Sequence, residues 1–508
     1  MNKTKIVKAF YLFLSCFPFL LATIYSFIYL FCKNLQSDYN TRLIIGDLNL
    51  ISVLLLLLLI CIILTIYYFV KKYIRQKGIL CLIILFVVFI PRFSLFILYH
   101  NNIALFSDFL RSYQRAIGNW SSLAYYKFFP GYINFSLLMK VILKLLHTHD
   151  YRCFIIINII LNSFTAIGIF FLGEKTLKSK YYAFLAAIIY GLYPPAIYYC
   201  LTCTPEHIAI CCNIFAILII MHCLFKMNIN KKKGIVYSII CGIVFGIGAS
   251  VKTFFPIIFI ALILAFVIWY IDFKEKPKSL LSNMVLFLLL VFVSEQITLH
   301  SITNLSEKYF KVSLDWSDAT PHYFFVGLNR QGEGQINLGN LSRKYISLRT
   351  EGITRDKAIS TTKQLILDDW KENKKEIMSF LNKKQIWAWQ DDNIPLSYFI
   401  DSIINPKDLT DKSLSKKYYH FTNRYIKVST EIFYFLLMLL GLLSCLYKTV
   451  RSNINIYSFL SDLIIAGYFC LIFLSEGQSR YKCLIIPLII IHSISFFSYY
   501  NCKTDNND

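Results

Sequence analysis

Apolar runs of about 20 residues recur along almost the whole chain. Each is long enough to cross the ~30 Å hydrocarbon core of a bilayer. A backbone in hydrocarbon must satisfy its own N–H and C=O groups, which runs of this length do as helices. The spans expected are Phe10–Phe31, Asn49–Val70, Ile79–Tyr99, Phe154–Gly173, Ala183–Leu201, Ile208–Phe225, Ile235–Ser250, Phe254–Ile271, Leu280–His300, Ile432–Tyr447, Tyr457–Leu474 and Cys483–Tyr500. The first is too long for a signal-peptide core and reads as a retained span. A hydrophobic share of 57% over 508 residues and a mean hydropathy of +0.56 agree. The fold class expected is an all-α polytopic membrane protein with about twelve transmembrane helices, an outer-face juxtamembrane loop and a small extracytoplasmic α or mixed module.

The net charge of +23 raises nucleic acid as a partner, but its placement argues against it. Lys71, Lys72, Arg75 and Lys77 fill one short connection, and Lys175, Lys178 and Lys180 another. Lys231–Lys233, then Lys274, Lys276 and Lys278, then Lys448 and Arg451 follow. These clusters fall on alternate connections, as the positive-inside rule requires of cytoplasmic loops. They predict cytoplasmic termini and contact with membrane lipids, not with nucleic acid. The 15 cysteines are scattered within spans without a CxxC pair, which reads as apolar core.

Residues 1–78 then hold two N-terminal spans, and 79–300 a membrane core whose outer loop covers 100–150. Residues 301–430 form a soluble-looking outer module, with turn signals at Gly327, Gly332, Gly334 and Gly339 and a helical stretch over Arg355–Leu381. Residues 431–508 carry the last spans and a short cytoplasmic tail. Within the outer loop, Phe106–Tyr132 concentrates Asp108, Arg111, Arg115, Lys127, Trp120, several tyrosines and Pro130-Gly131-Tyr132. A mere connector needs none of these. Ile133–Leu146 is amphipathic, with Lys140 and Lys144 on one face, and is expected at the interface.

Four outer sites can carry chemistry, each beside an ordinary reading. Asp108 fits a helix N-cap. Glu206, in Thr204-Pro205-Glu206-His207, fits a helix start with Thr as cap. Lys252 fits a snorkelling lysine. In Glu476–Lys482, Glu476 fits an ion pair with Arg480. Together they make a phosphate and hydroxyl site: cations hold a departing phosphate, and a carboxylate takes a proton from an attacking hydroxyl.

The order of these features resembles the GT-C superfamily of membrane glycosyltransferases, and within it the branch of protein O-mannosyltransferases and the aminoarabinose transferase acting on lipid A. The resemblance rests on Asp108 with Phe129-Pro130-Gly131-Tyr132, on Pro194-Pro195 and Pro205-Glu206, and on Gly242, Gly246, Gly248 and Lys252. Arg480-Tyr481 with Pro487 completes it. Phe109 follows Asp108 where the protein mannosyltransferases have Glu, and two spans precede the one expected to be first. The resemblance implies a polyprenyl-phosphate sugar donor, a hydroxyl acceptor and inversion, with Asp108 as general base. It gives Lys252 and Arg480 the phosphate, and Glu206 the acceptor or a metal. Arg111, Tyr113, Lys127, Tyr132, His207 and Tyr481 would complete the substrate pocket. A divalent cation (Mg, Mn or Zn) stays open, with Asp108 and Glu206 as its ligands if one binds. The rival class is a transporter or flippase, which predicts charges within spans near the midplane; by that test Glu295 is the main exception among mostly uncharged spans. The location expected is a plasma membrane, weakly bacterial from the Lys-, Ile- and Asn-rich composition.

Overall fold

The computed structural model describes residues 3–31, 49–119, 123–223, 231–272, 278–335, 340–402, 420–451 and 456–501. Trp120, Lys274, Lys276 and Gly339 lie outside the described residues. Twenty-one α-helices follow one another, with no strand among the described residues. The first three are α1 (Lys3–Phe31), α2 (Leu50–Tyr73) and α3 (Lys77–Tyr99). Next come α4 (Ser107–Ala116), α5 (Leu123–Tyr126) and α6 (Pro130–Leu145), then α7 (Arg152–Leu177), α8 (Lys180–Leu192) and α9 (Pro194–Tyr199). Helices α10 (Glu206–Cys223), α11 (Lys231–Val251), α12 (Phe255–Asp272) and α13 (Lys278–Phe310) complete the first bundle. A short helical module follows: α14 (Ala319–Leu328), α15 (Lys344–Thr350), α16 (Arg355–Glu372), α17 (Ile377–Trp389) and α18 (Ile394–Ser402). The chain closes with α19 (Lys427–Arg451), α20 (Ile456–Leu474) and α21 (Ile486–Asn501).

Eight of these helices are long and apolar enough to cross a membrane. Four shorter apolar stretches, Ser15–Phe31, Lys180–Leu192, Phe255–Ile268 and Ile486–Ser498, fall on the other four expected spans. The protein is a multi-pass helical membrane protein. Its basic turns share one end of the bundle. Lys180 donates to the Arg75 carbonyl at 3.0 Å, Lys77 pairs with Glu174 at 2.9 Å, and Ser498 near the C-terminus donates to the Leu177 carbonyl at 2.7 Å.

Several expectations change in detail. The span expected over Ala183–Leu201 breaks at Tyr193, which is extended (φ −69°, ψ 114°). Pro194 disfavours helical backbone in the residue before it, and neither Pro194 nor Pro195 has an N–H to donate. The stretch Arg355–Leu381 splits at Asn373 into α16, a 3₁₀ turn and α17. The module expected to be α or mixed has helices joined by turns, with no strand among its described residues. Arg92 lies inside α3 and is fully buried, giving its guanidinium to the carbonyls of Val88 and Gly191 at 2.9 and 2.6 Å. It therefore joins Glu295 as a charge within a span. Lys448, expected among the loop cations, is buried between α19, α20 and α21, where its amine reaches Asp462 at 3.3 Å and Ser458 at 2.7 Å.

Helix α6 does not lie free at an interface. Ile133, Asn134, Phe135, Ser136, Met139 and Leu143 are buried, and it packs on α4, α11 and α13. The glycines before Lys252 bring α11 close to α13: a Cβ at Gly242 or Gly246 would fall 2.5 Å from the Val291 carbonyl oxygen or Thr298 Cβ. Small residues four apart are how helices approach closely where lipid gives them no hydrophobic drive. Gly246→Val is therefore expected to cost about 1–3 kcal/mol or more, read as a lower melting temperature in detergent. An unchanged melt would show that α11 and α13 have slack at this crossing.

Candidate functional site

At the end opposite the basic turns, three segments converge. The first is the start of α4. Its N-cap position is Phe106, with no side-chain cap, and Ser107 stands in the left-handed region (φ 50°), which costs a non-glycine residue about 1–2 kcal/mol. The capping reading of Asp108 does not describe this geometry. Its Oδ1 instead accepts the Tyr126 hydroxyl at 2.5 Å, while Arg111 Nη1 donates to that hydroxyl at 3.3 Å. Arg115 lies 4.3 Å over the Tyr126 ring and gives Nε to Ser136 Oγ at 3.1 Å. Burial pushes the Arg115 guanidinium down to about 10. Burial and then the Asp108 charge push the Tyr126 phenol up, so it stays a donor.

The second segment opens α10. Glu206 is 2% exposed and pairs with Lys252 Nζ at 3.5 Å. Its Oε2 is buried without a hydrogen-bond partner, as is the Thr204 hydroxyl; the expected Thr cap is not made. Lys252 does not simply snorkel, for its amine lies 4.5 Å over the Tyr481 ring. The third segment joins α20 to α21. Arg480 sits 5.3 and 4.9 Å from the rings of Tyr398 and Tyr481 and donates from Nη2 to the Tyr481 hydroxyl at 3.2 Å. That hydroxyl donates to Glu476 Oε2 at 2.8 Å. The expected Glu476–Arg480 pair is thus relayed through Tyr481.

Tyr398 joins the first and third segments, for its ring lies 5.5 and 6.1 Å from those of Phe106 and Phe109, which flank Asp108, as well as beside Arg480. Burial raises its phenol, Arg480 opposes the rise, and Glu476, Glu206 and Asp108 add to it. Tyr132 is likewise raised, first by burial and then by Asp108, against Arg480. The structure therefore gathers Asp108, Arg111, Tyr132, Glu206, Lys252, Arg480 and Tyr481. It directs others elsewhere. The Tyr113 hydroxyl goes to the His149 carbonyl and its ring packs on Tyr151. Lys127 folds over Phe128 at 5.0 Å. Both ring nitrogens of His207 are taken internally, by Asn162 Nδ2 at 3.0 Å and the Tyr199 carbonyl at 3.1 Å. Sequence reasoning did not single out Tyr126 or Tyr398, and it weighed Glu476 only as a counter-ion.

Two buried lysines, Lys384 of α17 and Lys482, hold the Glu476–Lys482 loop. Lys384 donates to the carbonyls of Gly327 and Phe473, both at 2.7 Å. Lys482 donates to the carbonyls of Ala388 at 2.8 Å and of Asp391. Burial pushes Lys384 down to about 7 and Lys482 to about 8. Above pH ~7 these amines lose protons in the folded state while an unfolded lysine keeps its own to about 10.4. The unfolded chain then binds more protons, so stability rises with pH from about 7 to 10. A melting temperature that climbs from pH 7 to pH 9 is expected, with a shallower climb in Lys384→Met. Equal slopes would show that the amine is solvated.

Two acids beside Lys252 and Arg480 make a poor cage for a resident divalent ion. Glu206 Oε1 already faces an amine and Asp108 Oδ1 a hydroxyl. Among the described residues, no three His, Cys, Asp or Glu side chains gather as a metal set.

The described residues thus form a helical membrane bundle, eight of whose helices are long and apolar enough to cross a membrane, with acids, amines and tyrosines collected at one end. Residues 133–296 match the family described as dolichyl-phosphate-mannose-protein mannosyltransferase. The match supports a membrane glycosyltransferase of the GT-C type, with a polyprenyl-phosphate sugar as donor in general. It contains Glu206 and Lys252, while Asp108 and Arg480 lie outside it. No curated protein matches the chain.

Proposed function

We propose that this chain moves a sugar from a polyprenyl-phosphate donor to a hydroxyl of an envelope glycan, lipid or protein, with inversion and with Asp108 as general base. One observation carries the reading: the Glu206–Lys252 pair and the Arg480–Glu476 relay meet at Tyr481, while the Tyr398 ring packs on both Arg480 and the Phe106 and Phe109 rings that flank Asp108. The acceptor oxygen bonds to the anomeric carbon as the bond from that carbon to the phosphate oxygen breaks on the opposite face. Asp108 takes the hydroxyl proton, and the electron pair of the broken bond leaves on the polyprenyl phosphate. Lys252 and Arg480 hold that phosphate as its charge grows. Glu206 orients the acceptor and holds the Lys252 amine in place by their ion pair. The module over 301–430 roofs the site and meets the acceptor. The positive-inside rule puts the basic end and both termini in the cytoplasm, so the site faces outward from the plasma membrane of a bacterium.

The test is release of polyprenyl phosphate by purified protein in detergent, using radiolabelled polyprenyl-phosphate hexoses and pentoses with a panel of glycan, lipid A and peptide acceptors. Turnover of one donor is expected, unaffected by EDTA. Binding of the donors without any transfer across the panel would favour a transporter instead.

A further inference from the structure

A cavity of about 490 Å³ opens at the basic end, between α3, α7, α10 and α11. Its wall is apolar, from Phe171, Leu218 and Ile219, and its mouth carries Lys77, Lys175 and His222 around Glu174. Lys233, exposed on α11, stands four residues before the lining Tyr237 and so shares its helix face. The Lys77 amine is held across the mouth by Glu174 at 2.9 Å, and Lys180 bonds the neighbouring turn at Arg75. The donor site described above uses none of these residues.

The geometry points to a binding site for an anionic phospholipid, its headgroup phosphate among Lys77, Lys175 and Lys233 and one acyl chain along Phe171, Leu218 and Ile219. Charge and shape both argue for this occupant. Among the described lining residues two amines, Lys77 and Lys175, stand with one carboxylate, Glu174, which leaves the lining a net positive charge that an anionic headgroup neutralises. A free anion would leave the apolar wall of Phe171, Leu218 and Ile219 bare. Basic pockets between transmembrane helices are where anionic headgroups bind.

The experiment is native mass spectrometry of the full chain, delipidated and then titrated with phosphatidylglycerol or with phosphatidylcholine of the same acyl chains. Tighter binding of phosphatidylglycerol is expected. Lys77→Ala with Lys175→Ala weakens it by about fivefold for each amine removed, leaving phosphatidylcholine binding unchanged. Lys72→Ala, exposed at the same end but outside the cavity, leaves both unchanged. Glu174→Gln, which removes the one negative charge at the mouth, strengthens phosphatidylglycerol binding by about the same factor and keeps the test open if the double variant fails to fold. Equal binding of the two lipids overturns the site. So does a loss in Lys72→Ala as large as that of the cavity lysines, or an unchanged affinity in Glu174→Gln.

Discussion

Asp108→Asn is expected to lower polyprenyl phosphate release by about 10²–10⁴-fold while the protein melts at an unchanged temperature. The size is what a positioned general base contributes. The unchanged melt follows from the contacts of this side chain. Asp108 caps no helix, and its Oδ1 accepts one hydrogen bond, from Tyr126 at 2.5 Å. An amide oxygen accepts the same bond, so Tyr126, Arg111 and Arg115 keep their places, and only the ability to take a proton goes. Transfer assayed beside thermal melting separates the two effects. Full turnover in the variant would make Phe106–Tyr132 a structural loop and remove Asp108 from the chemistry.

Lys252→Met is expected to fail in two ways at once. Glu206 is 2% exposed and its Oε2 already lacks a partner, so losing the amine strands a buried carboxylate. Breaking a buried pair from one side costs roughly 3–5 kcal/mol. The lower end applies because the lysine side chain keeps 19% of its surface exposed. The same amine is the proposed phosphate ligand, so turnover falls as well. The double variant Glu206→Gln with Lys252→Met separates the roles, because a neutral pair restores the melting temperature and leaves turnover low. Recovery of both would reduce Lys252 to a counter-ion.

The two variants probe parts of the site that differ in how far they were legible in the chain. Asp108, Glu206, Lys252 and Arg480 stand out in sequence because each is a charge at the end of an apolar run, where hydrocarbon tolerates charge poorly. Their ordinary readings were equally legible, and only the folded geometry separates the readings: Thr204 makes no cap, and Asp108 spends its carboxylate on a tyrosine. Tyr126 and Tyr398 gave no such signal, for a tyrosine at a membrane surface is ordinary and the charged partners of these two lie 11 or more residues away. For Tyr113, Lys127 and His207, which proximity in sequence to an acid put in the pocket, the contacts run instead to the His149 carbonyl, the Phe128 ring and Asn162.

What the sequence determined by itself is the membrane frame: twelve apolar stretches, their alternation with basic turns, and the end at which polar chemistry collects. Hydrocarbon imposes these locally, residue by residue, so they need no tertiary information. The assembly of the site was decided by tertiary structure alone. Arg480 joins the start of α4 through Tyr398, and Glu206 through Lys252 and Tyr481, because α4, α10, the turn before α21 and α18 are brought to one end of the bundle. Contacts between elements hundreds of residues apart depend on how helices cross, as at Gly242 and Gly246, and no local pattern encodes a crossing.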